Sequence, residues 1–330
     1  MPDFDLVNPI VRNWQRRASE DPDAFWAEAA ELLPWFRKWD RVFDWQPPTF
    51  RWFIGGETNL SYSCLDHNLK IGRGGHAALI ACDERGERRV YTYVQLLHEV
   101  KRTAAALRGL GIGKGDRVAL YMPTCVEALV LMLACLRIGA IHLVVFAGFG
   151  ANALAERMRL AGAKALFASD ITYRRGKDVS LLSVVAEAAE SAKPEHVVVL
   201  RRTEEPLPGR AIAYDEFLMR GEGLDDGYVS MESNEPAYIL ATSGTTATPK
   251  LAVHTHGAYQ VYIHAMARWQ FGLRPDEVWW ATSDIGWVVG HSFMVYAPLL
   301  MGCTTIIYEG AIDYPDVGTF FRIASENGVT

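Results

Sequence analysis

Little cysteine, no long apolar run and no surplus of positive charge characterise this 330-residue chain. Its five cysteines, Cys64, Cys82, Cys125, Cys135 and Cys303, are scattered, odd in number and without a C-x-x-C pair. That argues against a disulfide framework and a thiolate zinc site, and predicts a reducing, cytoplasmic setting. The apolar stretch Ala128–Leu136 ends at Arg137, well short of the ~20 residues a membrane span needs. The first residues, MPDFDLVNPI, have neither a basic start nor an apolar centre, so no secretory leader is expected. Net charge is −6, and the basic clusters Arg174-Arg175-Lys177 and Arg201-Arg202 are too small for a nucleic-acid face.

Several catalytic signatures are missing too. Ser243 lacks the G-x-S-x-G elbow of a hydrolase. His254 and His256 have no carboxylate or cysteine beside them, so no metal site is assigned. Gly111-Ile112-Gly113-Lys114-Gly115 follows a helix and precedes a strand. A dinucleotide fingerprint needs the reverse order, so these glycines read as a helix stop, and a nicotinamide-dependent oxidoreductase is disfavoured.

What is present suits a large globular fold. Half the residues are hydrophobic and 22% are charged. Residues 1–69 hold six of the ten tryptophans and read as a helical excursion packed on the rest, with Asp21 capping a helix and Pro47-Pro48 breaking the chain. From residue 70 onward short strands alternate with helices. A strand pair flanks the turn at Glu84–Glu87, and Thr92–Leu110 has helical spacing. Strands are expected at Arg117–Tyr121, Ile141–Val145, Ala165–Ala168 and His196–Leu200, with helices at Cys125–Ile138, Ala151–Ala161 and Leu181–Ser191. This alternation predicts an α/β fold with a largely parallel, doubly wound sheet. Ligands in such sheets gather beyond the carboxyl ends of the strands.

The most informative stretch is Tyr238–His256, YILATSGTTATPKLAVHTH. Between two apolar runs, five hydroxyl side chains fall within the seven residues 242–248, and Lys250 follows Pro249. Such a loop can turn N–H groups and hydroxyls toward phosphate with a lysine adding charge; a Ser/Thr-rich surface turn is the alternative. It is not a Walker loop, because no glycine precedes Lys250 and no Ser or Thr follows it. A second dense stretch, Asp284-Ile285-Gly286-Trp287-Val288-Val289-Gly290-His291, suits either a small apolar pocket or a buried turn with His291 bonded to a backbone carbonyl. A third, Asp170-Ile171-Thr172-Tyr173-Arg174-Arg175-Gly176-Lys177, places three cations after a strand. These suit a terminal phosphate if the loop borders a groove, and solvated surface otherwise.

Together these stretches resemble the adenylate-forming enzymes, and among them the short-chain acyl-CoA synthetases that act on acetate or propionate. TSGTTATPK is similar to their ATP phosphate loop, T-S-G-[ST]-T-G-x-P-K-G. DIGWVVGHSFMVYAPLLMGCTTIIYEG is similar to the segment that follows it, and FAGFGANALAERM and YRRGK are similar to their CoA-contacting segments. FWAEAAELLPWF and SCLDHNL resemble the acetyl-CoA synthetase N-terminal cap. The resemblance implies a cap at 1–69, an adenylation domain from 70 to 330, and a C-terminal lid domain beyond this chain. It implies activation of a short-chain carboxylate by MgATP to acyl-AMP, then acyl transfer to CoA, with no nucleic-acid or membrane partner.

By position, Thr242, Ser243, Gly244, Thr245, Thr246 and Lys250 would grip the β,γ-phosphates, with Thr245, Thr246 and Lys250 catalytic. Phe146, Ala147, Gly148, Arg174, Arg175, Gly176, Lys177 and Val289 would meet CoA. Trp287, Val288 and Val289 would border the acyl pocket. Three departures stand out. Ala247 and Leu251 replace glycines of the family loop and reduce its backbone freedom. Val289 replaces a threonine, which favours a slightly longer acyl chain. The family runs to roughly twice this length, so the chain is expected to be an N-terminal portion not competent alone. A non-catalytic nucleotide- or CoA-binding module is the alternative.

Overall fold

The computed structural model describes residues 8–242 and 249–330. Two sheets organise them. The larger has seven strands in the order Ile212–Ala213, His196–Leu200, Ala165–Ser169, Arg117–Tyr121, Ile141–Val144, Pro236–Thr242 and Lys250–Thr255. All neighbours are parallel except the last pair. Parallel strands joined by helices follow from the strand–helix alternation. The closing pair is an antiparallel hairpin in which Thr242 faces Lys250.

The smaller sheet runs Val278–Trp280, Thr304–Glu309, Ala77–Asp83 and Arg88–Thr92. Its first three strands are parallel, and the last turns back from Ala77–Asp83.

Helix Val126–Arg137 lies inside the molecule. Every residue in it except Glu127 is buried, which accounts for its almost unbroken apolar run. Its last residue, Arg137, is 2% exposed and is paired with Asp66 at 2.7 Å. Helix Tyr93–Gly109 starts with a capping box. The Thr92 hydroxyl accepts from the Gln95 amide and the Gln95 side chain accepts from the Thr92 amide. Asn59, fully buried, donates to the carbonyls of Leu136 at 2.8 Å and Val229 at 2.9 Å. It also caps the short helix Leu60–Cys64.

The N-terminal excursion is helical at its two ends, with a strand pair between them. Asp21 caps helix Pro22–Ala30 as expected, accepting from the Ala24 amide. Arg41–Gln46 and Thr49–Ile54 then pair as a hairpin, and Pro47-Pro48 forms its turn rather than a chain break. Both strands, RVFDWQ and TFRWFI, are rich in the aromatic residues that strands favour. Trp26, Trp35, Trp39 and Trp52 pack against the main core, and Trp14 meets Trp269 edge-on at 4.5 Å.

Candidate functional site

A groove of about 790 Å³ opens where the carboxyl ends of both sheets converge. Segments that follow five strands line it: Pro123-Thr124, Phe146–Gly148, Thr172–Arg175, Thr282–Asp284 and Gly310–Asp313. The convergence matches the ligand position expected for parallel sheets.

The Phe146–Gly148 wall is pinned from below. Tyr121, at the end of its strand, directs its hydroxyl to the Ala147 and Phe149 carbonyls at 2.9 and 2.6 Å. Burial pushes that phenol up to about 12. A Cβ at Gly148 would lie 2.3 Å from the Phe146 ring, so a side chain there would displace that ring. Opposite, the Trp287 ring lies 6.1 Å from that of Phe146 and is 53% exposed. Gly286 lets the two segments touch, because its Cβ would fall 2.9 Å from the Phe146 Cα.

Asp284 holds the Trp287 turn. Its carboxylate accepts from the Gly286 amide at 2.7 Å and from the Thr124 hydroxyl at 3.3 Å. Burial raises its pKa, opposed by those two bonds. His291 bonds the Trp287 carbonyl at 3.1 Å, the buried-turn alternative for this histidine. Gly290–Tyr296 continues as a π-helix and Ala297–Met301 as an α-helix. π-Helical turns concentrate at functional sites.

The third wall is a two-stranded hairpin, Ile171–Arg174 with Lys177–Ser180. Arg175 and Gly176 form its turn with φ of 53° and 74°, the left-handed pair that two-residue hairpin loops demand. The Glu84 carboxylate accepts from the amides of Arg175 at 3.0 Å, Gly176 at 2.8 Å and Ala311 at 3.0 Å. Arg175 also pairs with Asp313 at 2.7 Å. Among the described residues, the side chains of Arg174 and Lys177 make no hydrogen bond or ion pair, which leaves both cations available at the rim.

The groove thus collects Phe146, Ala147, Gly148, Arg174, Arg175 and Trp287. Gly176 packs under Tyr314 at the hairpin turn, and Lys177, Val288 and Val289 are exposed outside the lining. Thr242 and Lys250 face each other at the mouth of the large-sheet hairpin, the threonine hydroxyl 3.3 Å from the Lys250 carbonyl. Ser243, Gly244, Thr245, Thr246 and Ala247 lie outside the described residues. Glu84, Tyr121, Thr124 and Asp313 gave no signal in the sequence, because each acts through a partner distant along the chain. Asp284 stood in a dense stretch, and its role needed Thr124 beside it. Among the described residues no group of three His, Cys, Asp or Glu side chains suits a metal ion, and no helix is long and apolar enough to cross a membrane.

Residues 70–330 match the family of AMP-binding enzymes, and residues 11–64 match the acetyl-coenzyme A synthetase N-terminus. An acetyl-coenzyme A synthetase of Deinococcus radiodurans is 45% identical over 320 residues, which cover 96% of this chain and 49% of that protein. One from Rubrobacter xylanophilus is 43% identical, covering 95% and 49%. A 3-hydroxypropionyl-coenzyme A synthetase of Sulfurisphaera tokodaii is 44% identical, covering 91% and 47%. The chain spans about half the length of the curated relatives it matches.

Proposed function

The chain belongs to the AMP-binding enzyme family, and on that premise we propose that it carries the nucleotide- and CoA-handling part of a short-chain acid–thiol ligase. The observation that carries this reading is the shared groove. Segments that resemble CoA-contacting and acyl-pocket segments, more than a hundred residues apart in sequence, line one cavity at the sheets' carboxyl ends. The relatives' names support the thioester product. The proposed division is a cap at 1–69 and an adenylation domain from 70 to 330, supported by the limits of the two family matches.

In the reaction, a carboxylate oxygen of acetate, propionate or a similar acid attacks the α-phosphorus of MgATP. The bond to the bridging oxygen breaks, giving acyl-AMP and pyrophosphate. The CoA thiolate then adds to the acyl carbonyl, and AMP leaves with the mixed-anhydride oxygen. Magnesium enters with the nucleotide as part of the substrate. Charge develops on phosphate oxygens in the first step, so donors held around them lower the barrier. Thr242, Ser243, Gly244, Thr245, Thr246 and Lys250 take that role, with Lys250 supplying the formal charge.

Arg174, Arg175, Gly176 and Lys177 meet the CoA phosphates; the free guanidinium of Arg174 is suited to bidentate contact. Phe146, Ala147 and Gly148 pack along the CoA chain. Trp287, Val288 and Val289 border the acyl group, with Val289 also at the thiol end.

Calorimetric titration of the chain with CoA and with MgATP tests the reading. CoA binding that weakens about tenfold in Arg174→Ala, the scale of one charge-assisted phosphate contact, is expected. An Arg174→Ala chain that binds CoA as well as the parent, or a parent that binds neither ligand at millimolar concentration, refutes it.

A further inference from the structure

Two ion pairs tie strand Thr304–Glu309 and the segment after it to neighbouring loops, and they differ in exposure. Arg202 and Glu309 stand 2.6 Å apart with side chains 13% and 7% exposed. Arg175 and Asp313 stand 2.7 Å apart with side chains 56% and 50% exposed. Separating the first pair would leave an uncompensated charge in the interior. Separating the second returns both groups to water, so that pair can open at little cost.

The hairpin tip has other support. The Glu84 carboxylate binds the backbone of Arg175, Gly176 and Ala311, and Gly176 packs under Tyr314. The exposed pair is nevertheless at the site, because Arg175 and Asp313 both line the groove. The bond from Arg175, helped by the nearby charge of Arg174, holds the Asp313 carboxyl below the usual carboxylate range. It is therefore ionised at neutral pH. Of the rim cations Arg174, Arg175 and Lys177, one is already occupied by an anion that the chain itself supplies.

We propose that Asp313 is a placeholder for a ligand phosphate: its carboxylate occupies the Arg175 guanidinium until the phosphomonoester of CoA arrives and displaces it. The inference rests on the CoA reading of the groove and adds a competitor to it. A phosphomonoester carries about −1.5 to −2 charge at neutral pH and three acceptor oxygens, against one charge and two oxygens for Asp313. Arg174 and Lys177 stand by to share that charge. The exchange leaves no buried charge behind, since Asp313 turns into solvent. In CoA this group sits at the end of the molecule opposite the thiol, so it meets the half-exposed rim while the thiol points inward. Asp313 thereby loosens the complex by making CoA compete for Arg175.

Calorimetric titration of the intact chain at about 0.15 M ionic strength tests this, with CoA and with dephospho-CoA, which lacks the phosphomonoester. Asp313→Asn is expected to bind CoA about three- to fivefold more tightly, the upper range for an exposed pair, and dephospho-CoA as the parent does. In an Arg175→Ala chain Asp313 withholds nothing. Adding Asp313→Asn there is expected to change CoA affinity less than about twofold, because exposed charges are screened at this salt.

Asp313→Asn that binds CoA no more tightly than the parent overturns the proposal. So does an equal gain for dephospho-CoA, or an equal gain in the Arg175→Ala background, either of which would make the effect a general repulsion of anions. A parent chain that binds no CoA removes the CoA reading and this inference with it. A parent that binds CoA without the Asp313→Asn gain removes this inference alone.

Discussion

Glu84 is the residue whose removal should most directly disturb the groove while sparing the core. Its half-buried carboxylate receives three backbone amides, those of Arg175, Gly176 and Ala311, at 2.8 to 3.0 Å. It thereby joins the tip of the Ile171–Ser180 hairpin to the Gly310–Asp313 wall. Hydrogen bonds to a charged group are worth about 1.5–3 kcal/mol each when fully buried. Arg175 and Gly176 are exposed, so water replaces much of what their amides lose. A discounted value of about 0.5–1 kcal/mol per bond gives roughly 2 kcal/mol for Glu84→Ala. That corresponds to about a thirtyfold change in the opening equilibrium.

The hairpin pairs with no other strand among the described residues, so this loss should appear as local opening. Ladder amides of Ile171–Arg174 and Lys177–Ser180 should exchange roughly thirtyfold faster, with the thermal midpoint nearly unchanged. Glu84→Gln should fall between. Its carboxamide oxygen can keep the Arg175 and Ala311 amides, but its NH₂ group then faces the Gly176 amide. CoA affinity should fall with hairpin opening. Unchanged ladder exchange in Glu84→Ala would refute the reasoning and assign the hairpin's support to the Arg175–Asp313 and Arg85–Asp178 pairs.

Three further outcomes are expected. Gly286→Ala should cost about 1–3 kcal/mol in urea unfolding and alter Trp287 fluorescence, because the new Cβ meets the Phe146 Cα at 2.9 Å. Asn59→Ala should cost about 2–4 kcal/mol in the same assay, since it takes a buried donor from the Leu136 and Val229 carbonyls and removes a helix cap. Stability should also fall as pH drops from 6.5 toward 4. Burial holds His291 at about 4 against an ordinary 6.5, so the unfolded chain takes up a proton in that window that the folded chain refuses. The contribution is complete above 6.5. His291→Gln should flatten the slope of unfolding free energy against pH by up to about 1.4 kcal/mol per unit, and an unchanged slope would exclude His291 as its source.

Most of the parallel sheet could be read from the sequence because each strand and helix carries its own local period. Arg117–Tyr121, Ile141–Val144, Ala165–Ser169 and His196–Leu200 all formed near where the apolar runs stood. Helices were harder where burial was unusual, as in the π-helical Gly290–Tyr296 segment. The Arg41–Ile54 hairpin was missed although its aromatics favour strands, because the crowded tryptophans read as one packing stripe and Pro47-Pro48 as a break. The dense segments at Arg174-Arg175 and Trp287 were also visible individually, through their composition, whereas Phe146–Gly148 stood out only through the family resemblance.

What the sequence by itself determined, then, was the set of elements and the chemistry each loop carries, since these depend on neighbours a few residues away. Only the tertiary structure decided which loops meet. Strand order is set by hydrogen bonding between segments far apart in the chain, so Ala77–Asp83 lies beside Thr304–Glu309 and Ile141–Val144 beside Pro236–Thr242. That order brings the carboxyl ends of both sheets to one groove and gives Glu84, Tyr121 and Asp284 their partners. No local period encodes such contacts, because the free energy that selects them comes from burial and pairing of the whole fold.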